Sequence, residues 1–204
     1  MCSSDLGHSD SAPDWKGEFK LKEASKMRLA SDVETKEIDW LWNGWLARGH
    51  LHLLAGEPGV CKTTLAMNYA AIVTNGGEWP DGTKCDRPQR VLFWSNEDDF
   101  PSFIVPRLEA AGAKKENFGE ITNIVLSNET EPFNPSLHMH IIEESIDQAS
   151  CDIGLFILDS IADVVEGDSH KNSDVRRSLK ALTRLAQRHN IAVLGIVHLN
   201  KANS

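Results

Sequence analysis

Gly56-Glu57-Pro58-Gly59-Val60-Cys61-Lys62-Thr63-Thr64 carries residue types that bind a polyphosphate, at nearly the spacing such binding needs. Gly56 leaves a strand, Gly59 opens backbone conformations closed to other residues, and Pro58 stiffens the turn between them. Successive backbone N–H groups then form an anion-binding nest, backed by the positive end of the following helix. In such a loop Lys62 reaches the β- and γ-phosphates of a nucleotide, and the Thr63 hydroxyl ligates Mg²⁺. One position departs from the pattern: Cys61 stands where glycine normally precedes the lysine. Its thiol either projects away from the nucleotide or tilts the loop, and a thiol at a helix N-terminus can also be reactive. The expectation is weakened but real nucleotide binding.

Three further groups fall at the ends of apolar runs. Leu155-Phe156-Ile157-Leu158 delivers Asp159, which can hold the Mg²⁺ through water. Strands also end in Asp for turn reasons alone, but here the residue follows a phosphate loop by about a hundred positions. Trp94-Ser95 leads into Asn96-Glu97-Asp98-Asp99, where Glu97 could deprotonate the water attacking the γ-phosphate. Against that stands a solvated acidic loop, with Asp99 at a helix start. Val197-His198-Leu199-Asn200-Lys201 places His198 after the last strand, either as a γ-phosphate sensor or as a histidine satisfied by a backbone carbonyl.

Alternating strands and helices must position these groups. Leu51–Ala55 reads as a strand and Lys62–Asn75 as a helix stopped by Gly76. Leu65, Tyr69, Ile72 and Val73 are its expected buried face. Arg90–Ser95 and Ile121–Leu126 are strands, with a helix over Phe100–Ala111 bent near Pro106 and ended by Gly112. Ile141, Ile142, Ser145, Ile146 and Ala149 mark a helix. Gly154–Leu158 is a strand; Val175, Leu179, Leu182, Leu185 and Ala186 mark another helix, and Ile191–Val197 is the last strand. This order predicts an α/β fold, a mostly parallel sheet with helices on both faces. Trp40, Leu41, Trp42, Trp45 and Leu46 are expected to pack onto the core, with adenine stacking the weaker alternative. Residues 1–36 read as a flexible lead-in, with a short helix around Phe19–Leu29, and residues 37–204 as one ATPase-type domain.

The 204 residues have 41% hydrophobic and 25% charged content, as in an ordinary globular protein. A net charge of -9 excludes a generally basic nucleic-acid-coating protein but leaves room for a local basic groove. Cys2, Cys61, Cys85 and Cys151 show no C-x-x-C spacing, so neither a structural zinc site nor a disulfide framework is expected. Unpaired cysteines point to the cytoplasm, and no run is long enough to span a membrane.

Four passages together resemble the RecA/DnaB-type ATPases, most closely the RepA-like hexameric helicases of plasmids and phages, AAA family ATPases. They are LWNGWLARGHLHLLAGEPGVCKTTLA; VLFWSNEDD followed by PRLEAAGA; LFILDSIADVVEGDSHKNSDVRRSLKAL; and IAVLGIVHLNK. The resemblance implies a RecA-like P-loop fold whose C-terminal strands are missing here, since the chain stops where the family continues. It implies Lys62 and Thr63 on phosphate and Mg²⁺, Glu97 as general base, Asp159 as the Walker B acid and His198 as the sensor. It also implies ATP as substrate, a homo-oligomeric, hexameric ring, and single-stranded DNA as partner. The loop after Asp159 resembles a DNA-facing loop, with His170 and Lys171 as its candidate contacts; a plain surface connection is the alternative. Arg176, Lys180, Arg184 and Arg188 recur every four residues, by default a solvated face and otherwise a subunit or DNA contact. Three functions follow: an ATP-hydrolysing motor or loader acting on DNA in replication or recombination, a non-hydrolysing nucleotide-binding regulatory module with a degenerate loop, and a small-molecule kinase. The kinase reading lacks an arginine-rich lid after Asp159.

Overall fold

Long apolar runs with no polar alternation require burial on both faces, and the run ending in Asp159 has it. In the computed structural model, which describes residues 29–126, 129–149, 152–161 and 172–199, all seven residues of Ile153–Asp159 are buried. By contacts the chain divides into Met1–Glu37 and Ile38–Ser204. The described part of the first unit contains a single 3₁₀ turn, Ala30–Asp32.

The second unit begins with a small antiparallel hairpin, β1 (Trp40–Trp42) and β2 (Leu46–Ala47). It continues through β3 (Leu51–Gly56), α1 (Lys62–Asn75), β4 (Arg90–Ser95), a π-helical turn (Phe100–Ile104), α2 (Val105–Ala110) and β5 (Phe118–Glu120). Then come β6 (Asn123–Leu126), β7 (Glu129–Pro132), α3 (Pro135–Ala149), β8 (Ile153–Asp159), α4 (Asn172–His189) and β9 (Ala192–His198). The main sheet has the order β3-β9-β8-β4-β5, with every pairing parallel. Its two faces carry separate cores, because side chains alternate along a strand. Leu155 and Ile157 join Met67, Ala70, Val73 and Leu108 on the α1–α2 side; Phe156 and Leu158 join Ile142, Ile146, Leu182 and Leu185 on the α3–α4 side. This is the three-layer α/β arrangement of a RecA-like P-loop fold.

Two expectations need correction. The buried face of α1 is Lys62, Ala66, Met67, Ala70, Ala71, Val73 and Thr74, whereas Leu65 is 40% exposed and Tyr69 and Ile72 lie at the margin of the core. Lys62, Ala66, Ala70 and Val73 share one helical face, so turning Lys62 inward fixes which side lies on the sheet. The small alanines then let the helix approach closely. The second correction concerns Ile121–Leu126, which is not a strand of the main sheet. The pairing strand is Phe118–Glu120, whose Phe118 ring sits 5.7 Å from Phe93 and 6.1 Å from Phe100. Asn123–Leu126 forms a separate antiparallel ribbon with Glu129–Pro132, burying Ile124 and leaving Val125 70% exposed.

Other features follow the sequence closely. Gly76 ends α1 at φ +63°, and a Cβ there would lie 2.7 Å from the Pro88 nitrogen, so only glycine fits. Pro101 and Pro106 cannot donate backbone hydrogen bonds, which accounts for the widened turn before α2. Trp42 is buried between Trp79, stacked at 4.7 Å, and Trp45 at 5.3 Å, while its indole donates to Asp81 at 2.8 Å. Leu41, Trp42 and Leu46 therefore pack as expected, whereas Trp45 is 64% exposed and only covers one side of Trp42. Arg176, Lys180, Arg184 and Arg188 are exposed, and Arg188 pairs with Glu143 and Asp147 on α3. Among the described residues no helix is long and apolar enough to cross a membrane. The Phe19–Leu29 helix falls almost wholly outside the described residues.

Candidate nucleotide site

Strand register brings the chemistry together. Gly56 pairs with His198 across β3 and β9, and Ser95 pairs with Asp159 across β4 and β8. All four strands thus end along one line at the C-terminal edge of the sheet, where open α/β sheets bind ligands. The Leu199 N–H donates to the Gly56 carbonyl at 3.1 Å, tying the end of β9 to the start of the loop.

Within the loop, Gly59 has φ +81° and Cys61 has φ 60° and ψ 29°, the left-handed region. A glycine adopts that conformation freely, whereas a residue with a Cβ is strained by about 1–2 kcal/mol. The Cys61 side chain is exposed and its carbonyl accepts the first helical bond, from Leu65 at 2.9 Å. The backbone therefore takes the shape glycine would give it, and the departure from the pattern appears as strain. Lys62 is 5% exposed and donates from Nζ to the Gly56 carbonyl at 2.9 Å and the Glu57 carbonyl at 2.8 Å. The loop curls around its own lysine. A phosphate that engages Lys62 adds an anionic oxygen to these neutral carbonyl acceptors, a stronger hydrogen-bonding partner. Thr64 is exposed on the outer side of the first turn, its carbonyl accepting from Asn68 Nδ2 at 2.8 Å.

The Thr63 hydroxyl donates to Asp159 Oδ2 at 2.6 Å, a bond between residues 96 positions apart. Asp159 is 1% exposed, and its other oxygen, Oδ1, is buried with no hydrogen-bond donor. Burial pushes its carboxyl up from the ordinary range; the Thr63 hydrogen bond and the charges of His198 and Lys62 oppose this, and Asp98 adds to it. Glu97 is carried on a turn in which the N–H groups of Glu97 and Asp98 donate to Ser95 Oγ at 3.1 and 3.4 Å. Glu97 Oε2 lies 3.2 Å from His198 Nε2, which lies 3.8 Å from Asp159 Oδ1. Asp98 pairs with Arg107 from α2, and Asp99 caps the next turn through Ser102 N–H at 3.0 Å.

The loop residues, Glu97, Asp159 and His198 thus share one edge of the sheet; His170 and Lys171 lie outside the described residues. The sequence reading missed the Asp98–Arg107 pair, because nine positions across a π-helical turn give no periodic signal. The Ser95 turn was legible in principle, as a hydroxyl two residues before Glu97. Thr63 Oγ1 and the unsatisfied Asp159 Oδ1 are hard oxygen donors, which suits Mg²⁺. Glu97 and Asp159 would otherwise repel a nucleotide polyphosphate, and a cation between them and the phosphates would lessen that repulsion.

The sequence also matches, over residues 18–204, the family described as AAA domain. The chain belongs to this family. It is a P-loop ATPase domain, and the AAA-domain match covers both the loop and the three strand-end groups. The chain is similar to the DNA repair protein RadA of Listeria monocytogenes, 24% identical over 184 residues, covering 87% of this chain and 34% of that protein. It is 26% identical over 188 residues to the DNA repair protein RadA of Streptococcus pyogenes serotype M1, covering 89% and 35%. It is 25% identical over 173 residues to that of Campylobacter jejuni, covering 83% and 33%. The chain spans about a third of the length of the curated relatives it matches.

Two outcomes follow for this AAA domain. Relieving about 1–2 kcal/mol of left-handed strain outweighs the about 0.4–1 kcal/mol that glycine's freedom gives the unfolded chain. Cys61→Gly should therefore raise stability by up to about 1.6 kcal/mol in a denaturant titration and tighten ATP binding; equal midpoints and affinities would show that the loop carries no strain. An acid whose folded pKa is raised favours the protonated form in the fold. Charged Asp159 therefore opposes folding above its raised pKa, and that opposition fades as pH falls through it. In metal-free buffer at neutral pH, Asp159→Asn should raise the thermal midpoint, with the gain shrinking at acid pH. A midpoint lowered at neutral pH would contradict this.

Proposed function

We propose that this chain binds ATP and hydrolyses it with Mg²⁺, as the ATPase domain of a ring-shaped motor or loader acting on DNA. The observation that carries the reading is the Thr63–Asp159 hydrogen bond at 2.6 Å, with Glu97 and His198 beside it. Lys62 and the loop N–H groups hold the phosphates. Thr63 and Asp159 hold the Mg²⁺, which neutralises charge on the phosphoryl oxygens. Glu97, half-exposed and so reachable by water, accepts the proton of the attacking water. His198, between Glu97 and Asp159, reports the loss of the γ-phosphate to the end of β9.

Support for DNA comes from the similar proteins, which are DNA repair proteins, and from the likeness to RepA-like hexameric helicases. Repair or recombination therefore stands beside replication as the setting. The ring rests on the likeness to RepA-like hexameric helicases, and in it a neighbouring subunit would supply the arginine that stabilises the transition state. Single-stranded DNA, hexameric assembly and a cytoplasmic location belong to the same proposal.

The strained Cys61 favours one second reading, a regulatory module that binds nucleotide without turning it over. Measuring ATP affinity and phosphate release together, with and without single-stranded DNA, separates the two. The hydrolytic reading predicts turnover that falls by about 100-fold or more in Glu97→Gln with ATP affinity retained. Tight binding with no turnover in either protein would establish the regulatory module instead.

A further inference from the structure

Glu97, Asp159 and His198 offer three ligand atoms that all lie within 4.8 Å of one another. The set is unusual for a site that needs only oxygen donors for Mg²⁺. Its nitrogen, His198 Nε2, faces a carboxylate oxygen on either side, Glu97 Oε2 at 3.2 Å and Asp159 Oδ1 at 3.8 Å. Asp159 is 1% exposed, and both Asp159 Oδ1 and His198 Nε2 are buried atoms with no hydrogen-bond partner. Buried polar atoms are rarely left so. Two carboxylates and an imidazole converging on one point therefore leave room for a cation between them.

Geometry and donor chemistry narrow which cation. Zinc bonds of about 2.0–2.2 Å at tetrahedral angles separate ligand atoms by about 3.3–3.5 Å. The two measured separations bracket that spacing, and the third, between the two carboxylates, lies within 4.8 Å, so the partly exposed Glu97 side chain swings inward to close the site. Imidazole nitrogen favours zinc and its neighbours, whereas Mg²⁺ holds to oxygen and to octahedral water.

We propose that Glu97, Asp159 and His198 form a binding site for a divalent transition-metal ion, with zinc as its fitting occupant, which shares Asp159 with the Mg²⁺ position at Thr63 and is therefore filled in competition with it. A metal held there occupies the carboxylate of Glu97 and the imidazole of His198 together. On the hydrolytic reading given above, on which this consequence rests, the bound ion withdraws the base and the sensor and so inhibits turnover. Metal binding itself does not depend on that reading.

The test begins without nucleotide. The whole chain, freed of metal by chelation, is titrated with Zn²⁺ by calorimetry, and Co²⁺ is used as an absorbing substitute. The proposal predicts one equivalent of Zn²⁺ per chain. Glu97→Gln and His198→Gln should each weaken it by more than about tenfold, while Cys61→Gly leaves it unchanged and so excludes the loop thiol. Both weakened variants replace partly exposed side chains, and circular dichroism verifies that they fold. An unchanged titration in His198→Gln, or uptake of less than one equivalent by the unaltered chain, overturns the site. A second arm adds Zn²⁺ to an excess of Mg²⁺ and ATP. Loss of turnover at the concentration that fills the site supports the inhibitory role, and full turnover with the site filled overturns it. A chain that does not hydrolyse ATP at all defeats the hydrolytic reading and leaves the zinc titration standing.

Discussion

A buried carboxylate at the end of a buried strand is hard to keep charged, and the fold answers this with one hydroxyl. Asp159 closes β8, whose residues are all buried, and burial raises its pKa. The Thr63 hydroxyl, bonded to it at 2.6 Å, satisfies one of its oxygens. That bond can form only if the first turn of α1 and the end of β8 meet at the same edge. The register that pairs Ser95 with Asp159 and Gly56 with His198 sets this meeting. The face of α1 that rests on the sheet follows as well, since Lys62 must point inward beside Thr63.

The geometry of the loop accounts for how Cys61 can stand in it. The backbone at Cys61 holds the left-handed conformation, with the thiol exposed. Strain of about 1–2 kcal/mol is small beside the burial of a whole α/β core, so the fold tolerates it. Its effect falls instead on the loop, where small changes in N–H direction alter phosphate binding. Lys62 meanwhile bonds to the Gly56 and Glu57 carbonyls, which leaves one of its three ammonium hydrogens for a phosphate oxygen.

Much of this was legible in the sequence because it rests on local chemistry. Gly56, Gly59, Lys62 and Thr63 announce the loop. The apolar runs before Ser95, Asp159 and His198 announce buried strands, and their polar last residues mark the sheet edge. What the sequence left hidden depends on long-range packing. The alanines of α1 look neutral in a helical pattern, yet they form its buried side, while Leu65 faces outward. Phe118, and not the more apolar Ile121–Leu126, pairs with β4 because its ring fits against Phe93 and Phe100. The joining of Glu97, Asp159 and His198 required the sheet order β9-β8-β4, which no spacing along the chain encodes.

The central claim is that Thr63 and Asp159 act as one unit in holding a Mg²⁺–nucleotide. A double-mutant cycle tests it most directly: the Mg²⁺-dependent part of ATP affinity is measured for the unaltered chain, Thr63→Val, Asp159→Asn and the double variant. The account predicts that either single change removes most of the Mg²⁺ dependence and that the second adds little, a coupling of about 1–3 kcal/mol. Independent losses that simply add, or Mg²⁺ dependence that survives in the double variant, would contradict it.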